Sequence, residues 1–280
     1  MAIIIDLYHS STRVKSMVFN DGSVQVSIPD LPSLAPKSIR VAARLRTPED
    51  QMALIMATSI LKEKYPYSKF TLDMPFTPYG RQDQAFVGGE ANSMKVWGNI
   101  INNLGYDTVI VHDPHSIAVS YINNLVVVPV EDIIEDSMHW TVVEEIIKNS
   151  ILVSPDAGAN KKAHKICKAL DIKRMVRADK ARDLATGAII ETELYGDVEG
   201  EKCLIVDDIC DGGRTFIELG KVLKARGAKE VNLFVTHGIF SQGMTPFNGI
   251  IDNIVTTRSI YDIERSQKDK ADFTGRFIIA

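Results

Sequence analysis

Short apolar runs alternate with longer amphipathic stretches along almost the whole chain. The runs Cys203–Val206 and Val231–Val235 are typical of strands buried on both faces, whereas Ser93–Leu104 and Lys161–Leu170 repeat apolar residues at helical spacing. A strand, a crossover helix and a second strand form the unit from which parallel sheets are built. The pattern therefore predicts the α/β class, with mainly parallel sheets flanked by helices.

The alternation restarts after residue 145, where a helical stretch is followed by the apolar run Ile151–Val153. We therefore expect two similar domains, an N-terminal one over residues 1–145 and a C-terminal one over residues 146–280. Further strands are predicted at Phe70–Met74, Thr108–Val111, Leu125–Val130, Lys173–Val176 and Ile251–Val255.

Local signals define two more elements of the N-terminal half. Val14–Phe19 and Val24–Ile28 flank the turn sequence Asn20-Asp21-Gly22, which predicts a β-hairpin. Thr47 precedes Pro48 and an apolar-periodic stretch, so it is the expected N-cap of a helix.

Polar loops marked by Gly or Pro follow strand after strand. They cover residues 74–83, 112–116, 154–158, 207–213 and 236–238. Because open α/β sheets bind ligands outside the carboxyl ends of their strands, these loops predict converging binding sites.

The segment 203–215 is the most informative of these stretches. An apolar run ends in the paired carboxylates Asp207 and Asp208, and Asp211, the glycines 212–213 and Thr215 follow before a helical pattern. Bare backbone N–H groups at a helix start attract phosphate, and paired acids bind sugar hydroxyls or magnesium. The segment lacks the Gly-Lys-Ser/Thr ending of a Walker motif, so it predicts a site for a phosphorylated sugar.

Composition restricts the possible partners. The chain has 280 residues, 45% of them hydrophobic, and a net charge of −4, which gives no electrostatic case for nucleic acid or an anionic membrane. Its three cysteines form no Cys-x-x-Cys pair, as expected in a reducing compartment. The apolar run at the N-terminus is too short for a signal peptide, and no stretch approaches the roughly 20 apolar residues of a membrane helix. We expect a cytoplasmic protein.

Several motifs together resemble one family, the ribose-phosphate diphosphokinases (phosphoribosyl diphosphate synthetases). Residues 207–215, Asp-Asp-Ile-Cys-Asp-Gly-Gly-Arg-Thr, resemble the family motif Asp-Asp-Ile-Val-Asp-Thr-Gly-Gly-Thr. Residues 19–23, Phe-Asn-Asp-Gly-Ser, are similar to Phe-Ser-Asp-Gly-Glu, and residues 78–83, Pro-Tyr-Gly-Arg-Gln-Asp, to Gly-Tyr-Ala-Arg-Gln-Asp. Further matches in family order lie at 113–115, 154–158, 178–182, 196–200 and 236–241.

The resemblance implies a fold, an activity and partners. The fold would be two tandem phosphoribosyltransferase-type (type I) α/β domains. The activity would be Mg²⁺-dependent transfer of the β,γ-diphosphate of ATP to the C1 hydroxyl of ribose 5-phosphate. The family also implies a homo-oligomer, a dimer or hexamer, in which the hairpin of a neighbouring subunit completes the ATP site.

The same resemblance assigns roles to individual residues. Lys180, Arg182 and His115 would be catalytic, and His115 and Asp156 would hold the metal. ATP would be bound by Phe19, Asp21, Arg81, Gln82 and Asp83. The ribose phosphate would be bound by Asp207, Asp208, Asp211, Gly212, Gly213, Arg214 and Thr215.

Most of these residues also have a purely structural interpretation. Asp156 in Ser-Pro-Asp is equally typical of a turn or helix cap, and Lys180 and Arg182 of a solvated surface segment. A loop histidine such as His115 is often structural, and an aromatic residue at a strand end, as Phe19 is, often belongs to the core.

The chain departs from the family at several positions. The family's first helix has almost no counterpart, Ser23 replaces the hairpin glutamate, and residues 84–90 replace a basic segment, so phosphate activation and ADP inhibition are not carried over. Arg214 is a guanidinium inside the loop expected to hold the 5-phosphate. It suggests a larger acceptor such as ADP-ribose, in NAD salvage, as an alternative. A non-catalytic regulatory subunit and a base-using phosphoribosyltransferase are further alternatives.

Overall fold

The protein divides into two compact units, Met1–Val128 and Pro129–Ala280. The structure is a computed structural model, and it describes residues 3–7, 10–138, 141–182 and 189–280, with the backbone alone for 180–182 and 189–192. The sequence analysis places the boundary at residue 145 instead. The difference lies in the helices α3 (Val130–Ser137) and α4 (Thr141–Ile147), which belong to the second unit, where α3 packs against α5 (Asn160–Ala169).

The first unit is built on a six-stranded sheet in the order β2-β1-β5-β6-β7-β8. Strand β1 pairs antiparallel with both of its neighbours, and β5 to β8 are parallel. The strands are β1 (Ile3–Asp6), β2 (Ser11–Arg13), β5 (Ser38–Ala43), β6 (Lys69–Asp73), β7 (Thr108–His112) and β8 (Leu125–Val128). Strands β3 (Lys15–Val18) and β4 (Val24–Ser27) form a separate antiparallel hairpin, as the turn sequence predicts.

Two helices cover the apolar side of this sheet, α1 (Pro48–Lys64) and α2 (Ser93–Leu104). Alternate residues of β5, Ile39, Val41 and Ala43, are buried in the same core cluster as residues of both helices. Thr47 accepts the backbone N–H of Asp50, whose side chain accepts in return from the backbone of Thr47, a capping box. The predicted helix starts at Pro48 and Ser93 are confirmed, and Gly105, in the left-handed conformation, ends α2.

The second unit is built on a seven-stranded sheet in the order β11-β10-β9-β12-β13-β14-β15, in which only the β10–β11 pair is antiparallel. The strands are β9 (Ser150–Ser154), β10 (Met175–Arg182), β11 (Ile189–Tyr195), β12 (Lys202–Cys210), β13 (Glu230–Gly238), β14 (Asn253–Thr256) and β15 (Arg276–Ile279). Helix α6 (Arg214–Ala225) packs on β13, α5 packs on β9 and β10, and α7 (Ser266–Asp272) packs near β15. All five residues of β9 are buried, which explains the continuous apolar runs of the central strands.

Three strands run further than their apolar residues predict. β12 continues past Val206 to Cys210, β13 past Val235 to Gly238, and β10 past Val176 to Arg182. Parallel pairing between β12 and β13 extends to Cys210 and Gly238 and supplies hydrogen bonds along the polar ends of both strands. The prediction that a loop begins at residue 207 is therefore wrong. The backbone hydrogen bonds between β12 and β13 continue past the last apolar residue, whatever the polarity of the side chains.

In the part of the chain that the structure describes, no helix is long and apolar enough to cross a membrane.

Gly98 in the middle of α2 allows a close approach between the helix and the turn that ends at Tyr121. A Cβ at position 98 would lie 2.8 Å from Cβ of Tyr121 and 3.2 Å from its carbonyl oxygen.

In an open helix Gly→Ala stabilises by about 1 kcal/mol. Here we expect Gly98→Ala to destabilise the protein by about 1–3 kcal/mol, because the turn that ends at Tyr121 has to move. Thermal unfolding measures the effect. The exposed neighbour substitution Asn99→Ala is the control and should be neutral or stabilising. An increased melting temperature for Gly98→Ala would contradict the close contact.

Candidate functional site

The paired carboxylates Asp207 and Asp208 lie on the central strand β12, and neither is freely exposed. Asp208 is 8% exposed, and its backbone N–H donates to Oδ1 of Asp207 at 2.9 Å. The ladder with β9 ends at Ile205, whereas the ladder with β13 continues to Cys210, so β13 holds the backbone of the two acids at the carboxyl end of β12. Asp211 follows directly after the strand, and its carbonyl accepts from the backbone of Ser241 at 3.3 Å.

Burial, the larger cause, and the negative charge of neighbouring Asp208 together raise the pKa of the Asp207 carboxyl to about 7. The positive charge of Lys162, on α5, acts in the opposite direction. Lys162 is therefore close enough to the acidic pair to influence its ionisation, although the sequence analysis overlooks it. Its place one helical turn after the loop at 154–158 is the signal that could have identified it.

Gly212 and Gly213 form the turn between β12 and α6. Gly213 has φ +77°, and a Cβ there would lie 2.3 Å from the Phe247 ring, so both the backbone angle and the contact require glycine. Helix α6 begins at Arg214 without a side-chain cap. Arg214 is exposed and Thr215 is half-buried, both in the first turn of this helix. A helix start with bare N–H groups beside glycines is suited to bind an anion.

Asp156 occupies the loop between β9 and α5. Its Oδ1 accepts the backbone N–H of Ala159 at 3.0 Å, and its carbonyl accepts from Ser154 Oγ at 3.1 Å. This is the turn geometry that the structural interpretation of Ser-Pro-Asp predicts. The metal role of Asp156 stays a prediction.

Lys180 and Arg182 lie on β10, in a backbone ladder with β11 that shifts register between Ala181 and Arg182. They are therefore on a strand, and the interpretation as an irregular surface loop is wrong for their backbone. Their side chains lie outside the described part of the chain.

In the first unit, two loops that follow neighbouring strands are joined at Asp83. The hydroxyl of Ser116 donates to Asp83 Oδ2 at 2.5 Å and also caps the short 3₁₀ turn Ile117–Tyr121. Asn92, the N-cap of α2, donates from Nδ2 to the carbonyl of Asp83 at 2.8 Å. The structure thereby brings the Arg-Gln-Asp loop and the Asp-Pro-His-Ser loop together, and Ser116 is a residue that the sequence analysis overlooks.

His115 lies beside the same loop, because a Cβ at Gly80 would be only 3.8 Å from Cβ of His115. The side chains of Arg81 and Gln82 are exposed next to this contact. Tyr79, at φ +64°, is fixed by its hydroxyl, which donates to Gln51 Oε1 at 2.7 Å, and by a ring contact with Trp97. An imidazole, a guanidinium and an amide thus lie around one rigid turn, a combination suited to phosphate and base recognition.

The hairpin β3–β4 presents Phe19 at its tip, 48% exposed, so this ring is not a core residue. The Asp21 carboxylate accepts from the backbone and the hydroxyl of Ser23 at 2.9 and 2.6 Å, and these hydrogen bonds lower its pKa. Ser23, which stands where the resembled family has glutamate, thus stabilises the turn. The contact of either residue with a nucleotide stays a prediction.

The donor set at β12 is compatible with magnesium. Among the described residues no group of three or more His, Cys, Asp or Glu side chains is arranged to hold a metal. Mg²⁺ usually keeps several waters and is held by one or two carboxylates together with substrate phosphates, so two adjacent acids suffice. A dication would also relieve the repulsion that raises the pKa of Asp207.

His237 on β13 is buried and hydrogen-bonded. Its Nδ1 lies 2.8 Å from Ser259 Oγ, and that hydroxyl donates to the carbonyl of Thr236, also at 2.8 Å. With the Ser259 proton used in this way, Nδ1 of His237 is the donor. The second unit thus holds this imidazole in one orientation by its own contacts.

Comparison with known proteins supports the resemblance. Residues 128–246 match the phosphoribosyl transferase domain family. A ribose-phosphate pyrophosphokinase of Haemophilus influenzae is 30% identical over 247 residues, covering 86% of this chain and 77% of that protein. The enzyme of the same name from Vibrio parahaemolyticus is 30% identical over 261 residues, covering 91% and 81%. The crystal structure of phosphoribosylpyrophosphate synthetase from Mycobacterium smegmatis superposes with a TM-score of 0.77 at 20% identity, covering 96% of this chain and 86% of that one.

The raised pKa of Asp207 predicts a pH-dependent effect of Asp207→Asn. The folded state holds the proton more tightly than the unfolded state, so the wild type loses stability as the pH rises from about 4 to about 7. Asn carries no charge, so without Mg²⁺ the variant should become the more stable protein above pH 7, by on the order of 2 kcal/mol.

Denaturant unfolding in EDTA between pH 4.5 and 8 measures this difference. Glu218→Gln, which removes an exposed carboxylate paired with Lys221 on α6, is the control. A difference between Asp207→Asn and wild type that is constant across this pH range would contradict the electrostatic origin.

Proposed function

The chain belongs to the ribose-phosphate pyrophosphokinase family, and we propose that it transfers the β,γ-diphosphate of ATP to the C1 hydroxyl of ribose 5-phosphate. The products are phosphoribosyl diphosphate and AMP. The observation that carries this proposal is the pair Asp207 and Asp208 on a rigid strand, followed at once by a glycine turn and an uncapped helix start.

On the acceptor side, the two carboxylates receive hydrogen bonds from the ribose 2- and 3-hydroxyls. The backbone N–H groups of the turn at Gly212 and Gly213 and the hydroxyl of Thr215 hold the 5-phosphate at the start of α6. A sugar gripped at both ends has its C1 hydroxyl in one position, and such positioning supplies much of the rate in phosphoryl-type transfers. Asp211, next to this turn, orients the backbone of the turn.

On the donor side, ATP is bound by the turn of the first unit. Arg81 pairs with phosphate oxygens, Gln82 contacts the adenine edge, and Asp83 holds the loop through Ser116. Phe19 stacks on the base and Asp21 keeps the hairpin tip folded. His115 lies where it can contact the triphosphate.

In the reaction the C1 oxygen forms a bond to the β-phosphorus, and the bond from that phosphorus to the oxygen bridging to the α-phosphate breaks. The proton of the C1 hydroxyl is released to solvent, and AMP leaves with the bridging oxygen. Lys180 and Arg182 neutralise the charge that develops on the oxygens around the β-phosphorus. Asp156, His115 and the acidic pair would each offer ligands to Mg²⁺ together with phosphate oxygens, and the ion would neutralise charge on the transferred group.

We further propose a homo-oligomer in which the hairpin β3–β4 completes the ATP site of a neighbouring subunit. The exposed apolar side chains Met17, Val18 and Phe19 at one end of the hairpin support this, since exposed apolar clusters commonly mark contact surfaces.

Lys180→Ala tests the catalytic assignment. Loss of one charge that acts in the transition state should lower AMP formation by about 100-fold or more, with binding of ATP and of ribose 5-phosphate changed by less than about threefold. AMP release measured by chromatography and binding by calorimetry separate the two effects. Lys173→Ala, which removes an exposed lysine paired with Asp171, is the control and should retain full activity. Full activity of Lys180→Ala would refute the assignment.

Arg214 favours a second candidate function, the same transfer to a larger acceptor such as ADP-ribose. Its guanidinium is exposed in the first turn of α6, directly after the glycines, where a second phosphate of a longer acceptor would lie. Each acceptor is incubated separately with ATP and Mg²⁺, for wild type and Arg214→Ala. If ADP-ribose is the substrate, Arg214→Ala lowers its use at least about tenfold more than that of ribose 5-phosphate. Consumption of ATP with ribose 5-phosphate alone would exclude this candidate.

A further inference from the structure

The loop that follows β13, residues 239–243, is hydrogen-bonded to the end of β12, the strand that carries Asp207 and Asp208 and is called the acidic strand below. The backbone N–H groups of Ile239 and Phe240 both donate to the carbonyl of Cys210, at 2.8 and 3.1 Å, and that of Ser241 donates to Asp211 at 3.3 Å. The loop then passes the glycine turn, where a Cβ at Gly212 would lie 3.6 Å from Cγ of Gln242. The loop is therefore one wall of the turn proposed to hold the 5-phosphate.

Arg265, near the C-terminus, holds this loop from its other side. Nη1 donates to the carbonyl of Ile239 at 3.3 Å and Nη2 to the carbonyl of Phe240 at 3.0 Å. These are the two residues whose N–H groups bond to Cys210. Each of these two residues is thus bonded through its N–H group to β12 and through its carbonyl to the guanidinium of Arg265.

Arg265 is itself fixed by a buried acid. Asp269, one helical turn later, is 1% exposed, and its carboxylate lies 3.4 Å from Nη2 of Arg265. The hydroxyl of Tyr261 donates at 2.7 Å to Oδ2 of Asp269, the same oxygen that faces Arg265. A charged pair with a third partner is ordered more firmly than an exposed surface pair.

Aromatic rings link the cluster of Tyr261, Arg265 and Asp269 to the Gly212–Gly213 turn, called the phosphate turn below because it is proposed to hold the 5-phosphate. The buried ring of Phe240 contacts Phe247, Tyr261 and Phe277 with centroid separations of 6.0, 6.2 and 5.7 Å. The Phe247 ring is the group that excludes any side chain at Gly213. Phe240 has φ +48°, a backbone angle that needs such surroundings to persist.

We propose that Arg265 and Asp269 are positioning residues, which hold the 239–243 loop against the Gly212–Gly213 turn and so set its affinity for the phosphate of the acceptor. The inference rests on the proposed function, since it assigns this turn to the phosphate. By this proposal the last 20 residues of the chain affect phosphate binding through the 239–243 loop, although none of them is expected to touch the substrate.

Substitution of Arg265 tests the proposal, with Lys as the conservative variant. Lys lacks the planar fork of two nitrogens that reaches both carbonyls, so Arg265→Lys should raise KM for ribose 5-phosphate about threefold and Arg265→Ala about tenfold. The value of kcat should stay within about threefold, and KM for ATP should be unchanged, because the ATP loops lie in the other unit. Asp269→Asn should raise KM for ribose 5-phosphate by about as much as Arg265→Lys does, about threefold.

Arg174 offers a matched control in the same unit. It also pairs with an acid, Glu201, and donates to a backbone carbonyl, that of Asp197, but it lies at the opposite ends of the strands. Arg174→Lys and Arg174→Ala should leave KM for ribose 5-phosphate unchanged. Equal rises of both substrate KM values, or a lower melting temperature of Arg265→Ala with KM unchanged, would show a merely structural role and overturn the proposal.

Calorimetry with ribose 5-phosphate and with inorganic phosphate, in the absence of ATP, separates this inference from the proposed function. Weaker binding to Arg265→Ala than to wild type supports positioning even if no AMP is formed, a result that would refute the proposed function alone. If both proteins bind the two probes equally, or wild type binds neither, the positioning role is refuted.

Discussion

Two neighbouring carboxylates on the central strand of a parallel sheet are the constraint on which the second unit depends. Asp207 is withdrawn from water beside the negative charge of Asp208, so the ionised state of Asp207 is unfavourable in the protein alone. A sheet interior would not retain such a pair without compensation. The surroundings supply part of it through Lys162 and the backbone N–H of Asp208. We propose that a cation and sugar hydroxyls supply the rest, which makes the unfavourable electrostatics of the empty site a source of affinity.

β12 can serve this purpose because its carboxyl end is held by β13 and by the loop that follows β13. β13 runs beside it to Gly238, and the loop after β13 returns to bond with Cys210 and Asp211. The glycine turn approaches Phe247 so closely that no side chain fits. Rigid backbone around a ligand site lowers the ordering cost of binding, so the dense contacts of the C-terminal segment bear on affinity as well as on stability.

In the first unit, side-chain hydrogen bonds rather than backbone pairing hold the proposed binding residues in place. Its proposed ATP-binding residues are on loops, and those loops are held by side chains, such as Ser116 on Asp83 and Tyr79 on Gln51. The first bond joins two loops across 33 residues of sequence, and the second joins a loop to helix α1 across 28 residues. Apolar periodicity contains no information about such pairs, so they could not be predicted, whereas the helix caps at Thr47 and Gly105 use neighbouring residues and could be.

The sequence by itself determined the α/β class, the hairpin, most helix limits and the family, because these depend on local periodicity and on motifs in a fixed order. It also predicted a binding site at Asp207–Thr215, the segment on which the proposed function rests. Only the tertiary structure decided that β12 continues through the acids, that Lys162 lies near them, and that Arg265 reaches the loop beside the phosphate turn. Strand ends and long-range polar contacts depend on partners brought close by folding, so the sequence near each residue cannot specify them.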